Sequence, residues 1–265
     1  MDVKLNIYGS GCQSVPGMLV TFGMMIVLIS SLCSAQDQGR NLTGVWSGDD
    51  GATYFVMRDD DSFVWWVGLS PDNGKSFANV FRGLWHGNSQ REEPADYGNV
   101  DGEWADVPRG RSMGHGTLRL SYQFSGQLKK VDGPGFNCST WKKLDSAPGS
   151  IDVITNPFPQ QGDLSGIWSA DSGTYYVRQV GTTVWWFGLR PAGGGNTDAE
   201  VFRGTINGTT LSGKLAFPLS GGTNILNAHL DRPTSPNSFT AFGDLGFYGQ
   251  GTVWRRVNVT VAYPP

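Results

Sequence analysis

The sequence predicts an all-β protein built as two tandem antiparallel up-and-down eight-stranded β-barrels, with a pair of β-sandwiches as the alternative. The first observation is duplication. Leu42-Thr43-Gly44-Val45-Trp46 returns as Leu164-Ser165-Gly166-Ile167-Trp168, and Val64-Trp65-Trp66-Val67-Gly68-Leu69 returns as Val184-Trp185-Trp186-Phe187-Gly188-Leu189. Val80-Phe81-Arg82-Gly83 returns unchanged as Val201-Phe202-Arg203-Gly204, so the offsets are 120 to 122 residues. A unit of that length can bury its own core, which separates it from short-period solenoids. The second observation is composition: 38 glycines and 12% aromatic residues in 265 suit short strands joined by tight turns. The third is that no stretch after residue 35 keeps a 3.6-residue apolar period over a dozen residues.

Residues 1–35 stand outside both repeats. Met18 to Leu32 is an uncharged apolar run followed by Cys33-Ser34-Ala35, which suits signal-peptidase cleavage before Gln36. At 15 residues the run is short for a membrane span, which needs about 20. A secreted protein is therefore expected, with a signal-anchored one as the alternative.

The first unit, 41–144, reads as strands at 43–48, 52–58, 62–69, 77–83, 100–106, 116–124, 126–131 and 137–144. The second, 163–257, reads as strands at 165–170, 173–179, 183–189, 199–206, 209–217, 223–230, 237–243 and 250–257. Asn207-Gly208 predicts a hairpin with a type I′ turn, which needs positive φ at both central positions. Connections this short make successive strands antiparallel, and closing the sheet removes its exposed edges. Residues 145–162 carry three prolines and no pattern, and are expected to be a linker.

Gly44-Val45-Trp46 and Gly166-Ile167-Trp168 open the units, and Trp141-Lys142 and Trp254-Arg255 close them. These motifs resemble those of the calycin barrels, the lipocalins and avidins. The resemblance covers both units and implies a barrel whose opening Trp plugs one end while a late basic side chain, Lys142 or Arg255, stacks on it. Other lipocalin motifs and the usual disulfide are missing, and each unit has the size of an avidin. Thr174 to Gln179, ahead of Val184-Trp185-Trp186, also resembles a motif of poorly characterised secreted proteins, and that likeness implies no activity.

A net charge of −3, unchanged by removing a leader that holds only Asp2 and Lys4, gives no footprint for nucleic acid or an anionic membrane. Of the three cysteines only Cys138 lies beyond the leader, so no intrachain disulfide is expected there; Cys138 reads as a small buried apolar residue. His86, His115 and His229 are scattered, and no metal-site spacing, Gly-x-Ser-x-Gly elbow or phosphate-binding loop occurs. No cofactor is expected. Asp59-Asp60-Asp61 reads as a solvated turn. Sequons at Asn41, Asn137, Asn207 and Asn258 fall at strand ends or in a turn, where a glycan could sit.

Candidate binding residues follow from strand alternation. Only one Trp of each Trp65/Trp66 and Trp185/Trp186 pair can face a lumen, and the other is a packing contact or an outward platform for a sugar ring. Trp66 and Trp186 are the candidates here. Tyr54 and Val56, with Tyr175 and Val177, are expected to line the lumens. Arg82 and Arg203 sit at one place in both units, either as lumen ligands or as solvated surface arginines. Unit one inserts His86 to Asn99 and then carries Trp104, Asp106, Arg109 and Arg111, where unit two has Leu215, Phe217, Leu219 and Gly221. Any polar specificity is therefore expected at the mouth of unit one.

The expected function is that of a secreted non-catalytic binding protein holding a small apolar or amphipathic ligand in a barrel lumen. The alternatives are a lectin-like module that uses outward Trp faces, a purely structural barrel pair, and a pocket-shaping cyclase or isomerase.

Overall fold

The computed structural model describes residues 41–87, 96–146, 151–154, 163–191, 197–231, 237–243 and 252–257. The expected leader therefore lies outside the described residues. In the first half, β1 (Gly44–Gly48), β2 (Thr53–Arg58), β3 (Phe63–Leu69), β4 (Ala78–Gly87), β5 (Asp96–Asp106), β6 (His115–Gln123), β7 (Gln127–Asp132) and β8 (Thr140–Lys143) pair in chain order. β8 returns to β1 through Trp46↔Lys143, Ser47↔Lys142 and Gly48↔Trp141, closing the barrel. The second half repeats this with β9 (Gly166–Ala170), β10 (Gly173–Val180), β11 (Thr183–Pro191), β12 (Thr197–Asn207), β13 (Thr210–Ala216), β14 (Thr223–Asp231), β15 (Ser238–Gly243) and β16 (Thr252–Arg256). Here β16 meets β9 over two residue pairs, so the sheet curls onto itself through a shorter seam. All pairings are antiparallel, and the architecture is consistent with calycin-like barrels.

The repeated motifs have a physical logic. Along Val80-Phe81-Arg82-Gly83 the side chains alternate, so Phe81 enters the lumen while Val80 and Arg82 leave it. Gly83 lies opposite Gly102, and a Cβ on Gly83 would come within 2.5 Å of the Phe81 ring. The two glycines let that ring lie flat on the sheet and stack on Trp66 at 4.1 Å. Gly204, Gly213, Phe202 and Trp186 repeat the device, with the rings 3.8 Å apart.

Trp46 and Trp168 are the plugs. Each is buried and donates its indole N–H to a backbone carbonyl, Trp46 to Leu42 at 2.9 Å and Trp168 to Leu164 at 2.8 Å. The stacking cation is not the expected Lys142 or Arg255. Alternation turns those two outward and brings the next residue to the plug: Lys143 lies 5.9 Å from the Trp46 ring and Arg256 4.5 Å from Trp168. Arg256 also donates to the carbonyls of Ser165 and Asp163, whereas Lys143 donates to that of Asn41. The second barrel has the firmer closure.

Two turns differ from expectation. Asn207 pairs with Thr210, so Gly208 and Thr209 are the central residues, and Gly208 alone has positive φ, +59°. Glycine in the first central position marks a II′-like turn, and Gly181 at +59° repeats it between β10 and β11. The insertion in unit one is partly strand, because β4 and β5 continue pairing through Trp85↔Val100, His86↔Asn99 and Gly87↔Gly98. Its residues 88–95 lie outside the described residues.

A third core joins the barrels. Phe55, Trp65, Val67, Leu69, Ala78, Val80 and Ala105 pack with their repeat counterparts Tyr176, Trp185, Phe187, Leu189, Ala199, Val201 and Ala216. The packing is reciprocal, with β3 on β12 and β11 on β4. The linker takes part: Ile151 is buried in this core, and the Tyr176 hydroxyl both donates to the Ile154 carbonyl and accepts from its N–H.

Asp59 anchors one side of this seam and is not the solvated turn residue expected. Its side chain is 2% exposed and accepts bonds from Phe63 N–H, Trp65 Nε1 and Lys214 Nζ of the second barrel. Lys214 also pairs with Asp61. Burial alone would raise the Asp59 carboxyl, but the bonds from Lys214, Trp65 and Phe63 hold it below 3.8. Burial likewise works against the Lys214 ammonium, and Asp59 and Asp61 hold it above 10.5. The Asp59 contribution is therefore present above pH 3.8 and is lost as pH falls through its lower folded value. The Lys214 contribution is present below pH 10.5 and is lost as pH rises through its higher one. Lys214→Met is expected to cost about 2 kcal/mol at pH 7. Thermal unfolding across pH should show that deficit shrinking at both extremes.

Candidate functional site

The plugs close one end of each barrel, and the opposite end is the mouth. In the first barrel it is built from the turn after β1, the starts of β2 and β4, the end of β5 and the segment before β8. These bring Asp50, Tyr54, Phe77, Asn79, Trp104, Asp106, Ser112, Phe136 and Asn137 around a cavity of about 50 Å³. Gly68 makes the arrangement possible, since a Cβ there would come within 2.5 Å of the Tyr54 ring and 2.7 Å of Asn79 Oδ1.

The polar groups are ordered but not all satisfied. Tyr54 donates to Asp50 at 2.8 Å, and Asp50 also accepts Ala52 N–H. Burial, with Cys138 and Asp50 close by, raises the Tyr54 phenol and keeps it protonated. Asn79 Oδ1 accepts Trp66 Nε1 at 2.9 Å, while its Nδ2 makes no hydrogen bond among the described residues. Asp106 is 4% exposed, and its Oδ2 accepts Ser112 Oγ at 2.6 Å and Gly114 N–H at 2.8 Å. Its Oδ1 has no partner among the described residues. Burial raises the Asp106 carboxyl; the bonds from Ser112 and Gly114 and the field of Arg178 offset part of that. Trp104 forms one wall, edge-on to Phe136 at 4.8 Å. Its indole N–H is buried with no partner among the described residues.

The other expected site residues divide. Tyr54, Val56 and Trp66 lie inside the first barrel, and Tyr175, Val177 and Trp186 inside the second. Trp65 and Trp185, 0% and 3% exposed, pack between the barrels and present no outward platform. Arg82 and Arg203 face outward, because Phe81 and Phe202 take the lumen positions beside them. Arg82 lies 3.7 Å over Phe63, and Arg203 lies over Trp185 and pairs with Glu103. Arg109 is no mouth residue. It is fully buried, donates to Tyr176 of the second barrel at 3.2 Å and to the Asn73 carbonyl at 3.0 Å, and so ties the two units together. Asn41, Asn137 and Asn207 are exposed, while Asn258 lies outside the described residues. Cys138 is buried as expected, and burial with Asp50 and Asp49 nearby pushes its thiol up to about 12. Among the described residues no cluster of His, Cys, Asp and Glu is placed to hold a metal.

Sequence reading missed Asp50 and Asn79. It also placed polar specificity in unit one and left unit two as a support or an apolar site. There, Glu200 is fully buried and accepts Trp186 Nε1 at 2.9 Å, as Asn79 does for Trp66. Arg190 lies 3.1 Å from Glu200 and 3.3 Å from Asp198, with its guanidinium 5.0 Å over Phe217. Aligning the repeats would have exposed this exchange of Asn for Glu and of Ser70 for Arg. Deeper in that barrel, Leu164, Trp168, Val177, Trp186, Leu226 and Trp254 surround an apolar cavity of about 30 Å³.

The site thus defines a class, a paired barrel with one open polar mouth and one internally neutralised mouth. No protein-family model matches the sequence, and no curated protein sequence matches it.

Proposed function

We propose that this is a secreted, non-catalytic binding protein that holds a small amphipathic ligand at the mouth of its first barrel. One observation carries the reading: among the described residues Asp106 Oδ1 and Asn79 Nδ2 make no hydrogen bond, at a cavity walled by Trp104, Phe77 and Phe136. Polar atoms with open hydrogen-bonding capacity in a concave, largely apolar site fix the orientation of what binds there, and a ligand that supplies a donor and an acceptor beside an apolar face matches both. The lumens favour this place over a deep one. The first is filled by Trp46, Trp66, Phe81 and Trp141, and the second retains a space of water size. The calycin resemblance adds the lipocalin and avidin habit of binding in or at a barrel. The uncharged run and small residues ahead of Gln36 support secretion, and the exposed sequons support glycosylation.

The double variant Trp104→Leu and Asp106→Phe installs the residues of the second repeat. Fragment screening by NMR should give hits that shift the Trp104 and Asn79 side-chain N–H signals and disappear in that variant. Hits indifferent to it would place the site elsewhere.

A second reading, a glycan-binding module, is favoured by a groove of about 200 Å³ lined by Glu103, Trp104, His115, Thr117, Thr183 and Trp185. Glycan-array binding that is lost with His115→Ala would support it.

A further inference from the structure

We infer that the mouth of the first barrel is specific for a planar cation, a guanidinium or amidinium head group carried by a small molecule or by an arginine side chain. This rests on the mouth being the binding site, and it names the chemical class that the site takes.

The two repeats supply the argument. Val80↔Ala105 and Val201↔Ala216 are equivalent pairs, so Asn79 corresponds to Glu200, Trp104 to Leu215 and Asp106 to Phe217. Leu69↔Ala78 and Leu189↔Ala199 make Ser70 the counterpart of Arg190. In the second mouth the chain fills its own site: the Arg190 guanidinium lies between the buried carboxylate of Glu200 and the face of Phe217, with Asp198 at its edge. In the first mouth every part of that arrangement recurs except the cation. A buried carboxylate, Asp106, replaces Glu200, and Asp50 takes the rim position of a second acid. Trp104, Phe77 and Phe136 provide the aromatic faces. Among the described residues no Lys or Arg lines this cavity, and Asp106 makes no ion pair. Arg178 of the second barrel acts on Asp106 only through its field.

A buried carboxylate without a counter-charge is unfavourable, and a guanidinium meets it with paired N–H donors while stacking on an aromatic face. The free Asp106 Oδ1 accepts one donor of such a head group. The Tyr54 hydroxyl and the Asp50 carboxylate accept others. Arg190 is the molecule's own copy of the ligand.

The test uses the full chain at pH 7, titrated with methylguanidinium and with its neutral isostere methylurea, following the Trp104 indole and Asn79 side-chain N–H signals by NMR, and the Asn79 signal alone in Trp104→Leu. Saturable methylguanidinium binding is expected, at least tenfold tighter than methylurea and weakened at least tenfold by Asp106→Asn. Ser70→Arg, which installs the counterpart of Arg190, is expected to abolish it; this second variant decides if Asp106→Asn does not fold. Equal binding of methylurea, with loss in Trp104→Leu, would overturn the cation class and leave the mouth as the site. Methylguanidinium binding that survives both Asp106→Asn and Ser70→Arg overturns the inference, as does the absence of saturation with either probe. Fragment hits at the mouth would then still stand as a separate result.

Discussion

Trp168→Ala is expected to remove about 3–5 kcal/mol of stability, close to the whole margin of many domains. The loss has three sources. The ring is 1% exposed, so its removal opens a large cavity beside a space that is already imperfectly filled. The Leu164 carbonyl loses its indole donor. Arg256, 8% exposed, loses the ring on which its guanidinium rests. Denaturant unfolding with a shared m-value would measure the cost. Trp46→Ala is expected to behave alike, though Lys143 lies farther from its ring than Arg256 does from Trp168. A Trp168→Ala protein of unchanged midpoint would refute the plug assignment.

The second large effect comes from separating the halves. Each barrel closes by its own strands, so chains limited to residues 41–146 and 163–257 keep their internal pairing. Each also uncovers an apolar face that the intact molecule hides: Phe55, Trp65, Val67 and Leu69 on one, Tyr176, Trp185, Phe187 and Leu189 on the other. Exposed patches of that kind drive association. Either half alone is expected to aggregate, or to melt at least 10 °C below the intact chain, since each 1 kcal/mol shifts a domain of this size by roughly 4–8 °C. Mixing the halves should restore solubility and cooperative unfolding. Two soluble monomeric halves that melt at the parent temperature would show that the shared core contributes nothing.

That shared face was legible in the sequence in a form the barrel reading did not use. Phe63 to Leu69 and Val184 to Leu189 are apolar at both strand parities, and a strand buried on both faces gives that pattern. β14, by contrast, alternates exposed and buried from Ile225 to Leu230, as a strand with one wet face should. The duplication followed from spacing, alternation put one Trp of each pair in a lumen without saying which, and the plugs came from the calycin resemblance. The stacking cations did not, because the adjacent Trp-Lys and Trp-Arg pairs drew the eye to Lys142 and Arg255, one residue short of the lumen parity. Arg109 follows a proline outside any strand, so no periodicity could place it between the barrels. At the mouth, Trp104 and Asp106 stood out against Leu215 and Phe217. Asp50 and Asn79 come from other strands, and only the closed register brings them together.

The linker contact has a consequence for assembly. Barrel one of one chain could receive barrel two of another through the same reciprocal face, with no new contact required. Pairing within one chain prevails only while the connection spans the seam, where short tethers hold partners at effective concentrations of about millimolar. Tyr176 pins that connection at Ile154, which fixes how much slack is left on either side. Shortening the chain between 146 and 163 would therefore favour exchange of barrels between two copies of the chain. The exchanged pair would then carry two open mouths in place of one, and a bivalent ligand would feel the difference as avidity.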